Sequence, residues 1–282
     1  MTRAFSWLFS FVALATLSLL LGVFAWQSGP VWQHEGAGYV TGGKWFFRQH
    51  EFGALPMICG SVVVALVALV LAAPLGLGAA VFIAEYLPRR SRLAVKMLVE
   101  LLAGVPSVVY GLLGILLLRD WVYETFERFD PLSGDTLLTA GILLAVMVLP
   151  TVVTLADDAL RAVPSAQRRA ARALGLTRAE TIWSVCLPQA RRGIGAALLL
   201  SLGRALGETI AVFLVVGRQD NNLPVQLLGA GQTLTSKLGG SETNIAYGDP
   251  LHWGAMMGLG LLLLLLTGAV TLLGSLKRRR DA

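Results

Sequence analysis

The sequence predicts an all-α, polytopic membrane helix bundle of about six transmembrane helices. Composition, the spacing of apolar runs and the distribution of basic residues carry that expectation. Hydrophobic residues make up 55% of the 282 residues and charged residues 14%, and mean hydropathy is +0.69. A soluble domain carries roughly 25% charged residues, so this chain lacks the polar surface to cover a core of its own. The same figures exclude a disordered chain, a coiled coil and a collagen-like repeat.

Six apolar stretches come close to the roughly 20 residues that cross a hydrocarbon layer as a helix. They lie at about 5–26, 57–84, 93–118, 137–156, 194–217 and 254–274. Trp26, Trp121 and Trp253 fall at span ends, where indole rings prefer the membrane interface. The first stretch has a basic residue before it (Arg3) and a tolerable cleavage pattern at Val23-Phe24-Ala25. Its apolar run exceeds that of a cleaved signal peptide, so a retained helix is expected. The chain divides into 1–56 (first helix and outer loop), 57–274 (permeation core with a cytoplasmic loop at 157–193) and a basic tail at 275–282.

The basic residues alternate between the loops. Sixteen Lys and Arg fall on the side that holds both termini, namely Arg3, 89–96, 161–192 and 277–280, and six fall on the other. The excess places both termini in the cytoplasm. The formal charge of +6 is then an average over a strongly basic inner face and an acidic outer face. It is a topology signal and not a nucleic-acid footprint, and no nucleic-acid partner is expected. Anionic membrane lipid is the natural partner of the inner face.

The loops differ in character. Residues 27–56 and 218–253 face outward and are rich in Gly, Asn, Gln and Thr, and 119–136 is acidic. The inner segment 157–193 is basic, Ala-rich and punctuated by Pro164, Gly175 and Pro188. Ser165 is placed to cap a short helix that ends at Gly175, and Thr177 with Glu180 forms a capping-box pattern for a second. Cys59 and Cys186 make no disulfide framework, and His34, His50 and His252 are scattered. No metal site and no cofactor are expected. No Gly-x-x-x-x-Gly-Lys-Ser/Thr occurs, so ATP hydrolysis is expected on a partner chain and this chain is expected to be non-catalytic.

Three constellations carry the functional expectation. Arg204 and Glu208 lie four apart in the fifth span, so they are expected to share one helical face. A charge in a span is costly and faces a bundle interior or an aqueous pathway. The pair either neutralises itself or offers the Arg204 fork to a passing oxyanion, with Glu208 holding Arg204 and limiting how tightly the anion binds. In the third span Pro106 frees a carbonyl and invites a kink, while Ser107 and Tyr110 add hydroxyls suited to a polar path. Gly104 and Gly111 are read as helix-packing positions. Glu100 needs a partner, for which Arg204 is a candidate. The third constellation is the inner loop, a surface connector or a docking element.

That loop reads Arg169-Ala170-Ala171-Arg172-Ala173-Leu174-Gly175, nine residues, then Val185-Cys186-Leu187-Pro188. It resembles the loop of ABC importer permeases with the pattern Glu-Ala-Ala, three residues, Gly, nine residues, Ile-x-Leu-Pro. Arg169 stands at that family's acidic position. Gly104-Val105-Pro106-Ser107-Val108-Val109-Tyr110-Gly111 and Arg204-Ala205-Leu206-Gly207-Glu208-Thr209 look like signatures of the Pst phosphate importer permeases. Ile210-Ala211-Val212 and Gly231-Gln232-Thr233-Leu234-Thr235-Ser236 are more similar to the PstC than to the PstA permeases.

The resemblance implies a type I ABC importer permease fold with a cytoplasmic coupling helix, in a bacterial inner membrane. It implies a PstA-like second permease, a PstB-like ATPase dimer and a PstS-like phosphate-binding protein as partners. It assigns Arg204 and Glu208 to the substrate path, to which the reading of the third span adds Glu100, Ser107 and Tyr110, and it assigns Arg169, Ala170, Ala171, Gly175, Leu187 and Pro188 to ATPase coupling. A permease for molybdate or sulfate shares the inner loop. An autonomous ion channel would leave that loop unexplained. A membrane-embedded enzyme would need a catalytic cluster that the spans lack.

Overall fold

The computed structural model describes the backbone of residues 2–280 apart from 222, and the side chains of residues 5–272 apart from 89 and 222. The side chains of the basic tail expected over 275–282 fall outside the described residues, as do those of Arg3 and Arg89. In order, the elements are α1 (Thr2–Gln27), α2 (Gly29–Glu35), α3 (Gly38–Thr41), a short antiparallel hairpin of β1 (Trp45–Phe46) and β2 (Glu51–Phe52), α4 (Leu55–Val81), α5 (Arg89–Ala103), α6 (Ser107–Leu113), α7 (Arg119–Phe126), α8 (Leu137–Arg161), α9 (Ser165–Ala173), α10 (Arg178–Thr181), α11 (Leu187–Gly207), α12 (Ile210–Val215), α13 (Leu234–Leu238), α14 (Glu242–Ala246) and α15 (Pro250–Arg280).

Four segments are long and apolar enough to cross a membrane: Phe5–Gln27, Leu55–Tyr86, Leu137–Arg161 and Pro250–Leu272. The bent pair Arg90–Ala103 and Ser107–Phe129 supplies a fifth where it crosses as one unit, and its two halves meet at 84°. The expected span at 194–217 is not one helix. It is the end of α11 and the whole of α12, separated at Glu208 and Thr209. Two of the six expected spans are therefore interrupted, and both interruptions fall on the signatures singled out above.

The centre is built by α4 and α8. Small residues let the two backbones approach. Ala65, Ala68 and Ala72 of α4 and Ala140 and Ala145 of α8 are buried there. A Cβ on Gly76 would sit 2.6 Å from Val152 Cγ1, and one on Gly141 would sit 2.4 Å from Val67 Cγ1. Ala205, Leu206, Ala211 and Val215 bring α11 and α12 into the same core. A second cluster closes the outer end, where Tyr39, Phe52, Met57, Leu234 and Met256 are buried. There the Tyr39 hydroxyl donates to the Ala255 carbonyl at 2.7 Å. A third closes the inner end, with Ala84, Ala156, Leu160, Cys186 and Ala190. α1 packs on α15, and the apolar stretch of α1 is not buried within the chain.

Candidate functional site

α11 ends at Gly207, and Glu208 is extended, with ψ 125°. The expected i,i+4 face for Arg204 and Glu208 therefore does not exist, and the two make no ion pair among the described residues. Arg204 is exposed, and its Nη1 donates to Thr151 Oγ1 on α8 at 3.1 Å. Glu208 instead serves the next helix: its Oε1 accepts the Ala211 N–H at 3.3 Å. Its backbone carbonyl, freed by the break, accepts the Thr235 hydroxyl at 2.7 Å. A helix broken inside a bundle needs such replacement partners. Glu100 is exposed on α5 and has no ion pair among the described residues, so the expected partnership with Arg204 is not formed.

The 84° bend in the third span sits at Gly104–Pro106. Pro106 has no N–H for the Leu102 carbonyl. The Tyr110 hydroxyl takes that place, donating to Leu102 O at 2.9 Å, and the Val105 N–H adds a bond at 3.3 Å. Tyr110 thus braces the bend and does not present a free hydroxyl to a path. Ser107 opens α6 and is half-buried. Gly111 is a packing position as expected: a Cβ there would sit 3.2 Å from Ala211 Cα and 2.6 Å from Leu214 Cδ1. Gly104 is not, because a Cβ there would meet only backbone of its own turn, at 3.4 Å or more.

By sequence, 218–253 reads as an outer loop. The stretch Gly231–Lys237 is in fact buried throughout, wedged between α4, α12 and α15. Its seat is sterically prescribed, since a Cβ on Gly60 would fall 2.0 Å from the Gln232 carbonyl oxygen. Ser61 Oγ accepts the Leu234 N–H at 2.9 Å, and Thr233 caps α13 in a reciprocal box with Ser236. Ser61, Glu208, Thr233 and Thr235 line a cavity of about 10 Å³, close to the space one water needs. The signal for this segment was its hydroxyl-rich run without a charge before Lys237.

Lys237 lies in the outer segment 218–253 by sequence, yet its side chain is only 3% exposed. Its ammonium donates to Asp220 at 2.7 Å and to Glu242, and lies 5.1 Å from the centre of the Trp45 ring. Glu242 also accepts from Trp45 Nε1 at 2.6 Å and pairs with His252 Nε2 at 2.9 Å. Burial pushes Glu242 up, but hydrogen bonds from His252, Lys237 and Trp45 with the Lys237 charge overcome it and bring the pKa to about 2. Burial raises Asp220 despite Lys237. These groups come from separate segments, so no local motif announces them.

In the inner loop, Gly175 ends the helical turn with φ 88°, a left-handed conformation that favours glycine. Leu176 N–H bonds to Ala171 O at 3.2 Å and Gly175 N–H to Arg172 O at 3.0 Å, closing the end of α9. The Thr177–Glu180 capping box forms as expected. Ser165 does not cap. Pro164 occupies the N-cap, and Ser165 Oγ accepts from Arg169 Nη1 at 3.2 Å. Arg169, Ala170 and Gly175 are exposed, and Ala171 is buried. Leu187 packs on the inner core, while Pro188 is exposed in the first turn of α11, after a π-helical turn over Ile182–Cys186.

The family described as "Binding-protein-dependent transport system inner membrane component" matches residues 72–280. The chain is 33% identical over 272 residues to a "Phosphate transport system permease protein PstC" of Mesorhizobium japonicum, covering 91% of this chain and 81% of that one. It is 32% identical to the protein of that name from Pasteurella multocida, covering 95% and 87%. It is 35% identical to PstC 1 of Mycobacterium tuberculosis, covering 80% and 73%. Among solved structures, the fold is similar to an inward-facing MetNI methionine ABC transporter, with a TM-score of 0.59, 20% identity, and 79% and 93% of the two chains covered. An amino acid ABC transporter with histidines gives 0.55 at 20% identity, covering 79% and 92%.

Proposed function

The chain belongs to the family of binding-protein-dependent transport system inner membrane components, and from that premise we propose that it is the membrane permease subunit of an ATP-driven phosphate importer. The observation that carries this reading is the likeness to PstC permeases over nearly the whole chain. The Arg204 region fits it. A guanidinium stands exposed beside a broken helix, held by one neutral hydroxyl instead of a carboxylate. Its remaining donors are free to meet a tetrahedral oxyanion two at a time. Glu208 stays close in sequence but is turned to α12, so it shapes the break and does not neutralise Arg204.

This chain forms half of the path, and a PstA-like permease closes the other half. A PstS-like binding protein delivers phosphate at the outer end. A PstB-like ATPase dimer docks on the inner loop, where Leu174 and Trp183 stand 82% and 73% exposed beside the basic face of α9. Both termini lie in the cytoplasm in this reading, which the excess of Lys and Arg on the inner loops supports. The chain itself makes and breaks no covalent bond.

Arg204→Ala is the direct test. In cells lacking the native chain, phosphate uptake should fall by about 10- to 100-fold, the scale of losing about 1.5–3 kcal/mol from a charged contact. The complex should still co-purify with its ATPase, because Arg204 is exposed and its loss leaves no buried charge. Normal uptake by the assembled variant would remove Arg204 from the path.

A further inference from the structure

We propose that Arg168 and Glu85 form a strut that fixes the angle of the inner-loop helix α9 against the paired inner ends of the second and fourth spans, so that a push on α9 tilts both spans together. The inference rests on the reading of this chain as an ATP-driven permease and names how its coupling is built.

α9 is a nine-residue helix between two short connections, residues 162–164 before it and the Gly175 turn after it. Most of its surface is exposed, and Ala171 is too small to resist rotation. Arg168 is the exception. Its side chain is 17% exposed and reaches inward, and Nη1 donates to Glu85 Oε1, which belongs to the π-helical turn Phe82–Tyr86 ending the second span. Nη2 donates to the Leu160 carbonyl at the end of α8, at 2.5 Å. One planar group therefore ties α9 to two spans at once, and a guanidinium is stiff enough to hold both directions.

The anchor is built to take load. Glu85 is 5% exposed at its side chain. The turn that carries it is clamped from the other side by Arg92 of α5, whose Nε donates to Ile83 O at 3.1 Å and Nη2 to Ala84 O at 2.9 Å. Ala80, Ala84, Ala156, Leu160 and Cys186 pack around it into the inner core. Among the described residues Arg168 is the only cation within ion-pair distance of Glu85, and no other ion pair joins α9 to the bundle.

A stabilising ion pair and a coupling strut predict different things. Breaking a buried pair on one side leaves an uncompensated charge, whereas replacing both partners with apolar residues of similar volume is close to neutral for folding. The complete transporter, with its binding protein, second permease and ATPase, is reconstituted in phosphatidylethanolamine–phosphatidylglycerol vesicles. Phosphate accumulated per ATP hydrolysed is then measured for the parent chain and for Glu85→Leu/Arg168→Met.

The double variant should assemble and hydrolyse ATP. Its phosphate-to-ATP ratio should fall at least about fivefold, the lower end of typical coupling energies. A parental ratio in the double variant, or failure of that variant to assemble, overturns the strut and leaves the pair a folding element. Failure of the parent transporter to accumulate phosphate would instead reject the functional reading itself.

Discussion

Glu242 lies between an indole, an ammonium and an imidazole, and its carboxylate can only accept, so Trp45, Lys237 and His252 all present N–H groups to it. Its pKa of about 2 lies below the ordinary 4.5, which makes the folded state the weaker proton binder. Stability from this group is complete above the ordinary value and is lost as pH falls from 4.5 towards about 2. Asp220 works the other way: its raised pKa means that acid relieves a penalty of burial, and this offsets part of the loss. Glu242→Gln should therefore lower stability at neutral pH by about 1.5–3 kcal/mol, the range for hydrogen bonds to a charged group. It should also flatten the acid slope in that window. Thermal unfolding of the detergent-solubilised chain from pH 7 to 2.5, followed by circular dichroism, decides the matter. An acid slope equal to that of the parent would show that other carboxylates govern it.

Among the elements, α9 and its turn were the most legible in the sequence, because their signals are local. Gly175 and the Thr177–Glu180 box act within a few residues, and the structure places both as their chemistry requires. The interrupted spans were less legible. Pro106 announces a kink, but the 84° angle depends on Tyr110 reaching back to Leu102. The break after Gly207 has no proline, and the carbonyl it frees is satisfied by Thr235, 27 residues further on. Periodicity assumes a continuous helix, so it placed Arg204 and Glu208 on one face that tertiary contacts then dismantled. Gly175→Val is the corresponding test at the coupling loop. A β-branched residue at φ 88° carries strain of about 1–3 kcal/mol, and the space beside Gly175 is open. The variant should therefore assemble but hold α9 at a wrong angle. ATP hydrolysis in reconstituted vesicles should continue while phosphate accumulated per ATP drops. An unchanged ratio would reduce the loop to a membrane-surface connector.

At the scale of the whole molecule, the two ends of the bundle are chemically different. The inner end carries Arg168–Glu85 and the Lys96 contacts to Asp158 at 2.7 Å and Asp157 at 3.6 Å, in a field of exposed arginines. The outer end buries Lys237 under two carboxylates, an indole and a ring stack of Phe47, Phe52 and His252. The sequence alone reads Lys237 as a loop charge, because a count of residues cannot register depth. The alternation of basic loops survives this revision. The bias counts Lys and Arg by the side of the membrane on which their loop lies, so burying Lys237 within its own segment leaves it unchanged. The bias predicts a topology that a protease can read. Trypsin added to the outer face of right-side-out spheroplasts should reach Lys44 and Arg48, which are exposed in the first outer loop. It should leave Arg169, Arg172 and Arg178 intact, although they are equally exposed in the folded chain. Permeabilising the membrane should then open 157–193 to cleavage. Loss of that segment in sealed spheroplasts would invert the topology and place the coupling loop on the wrong side for a cytoplasmic ATPase.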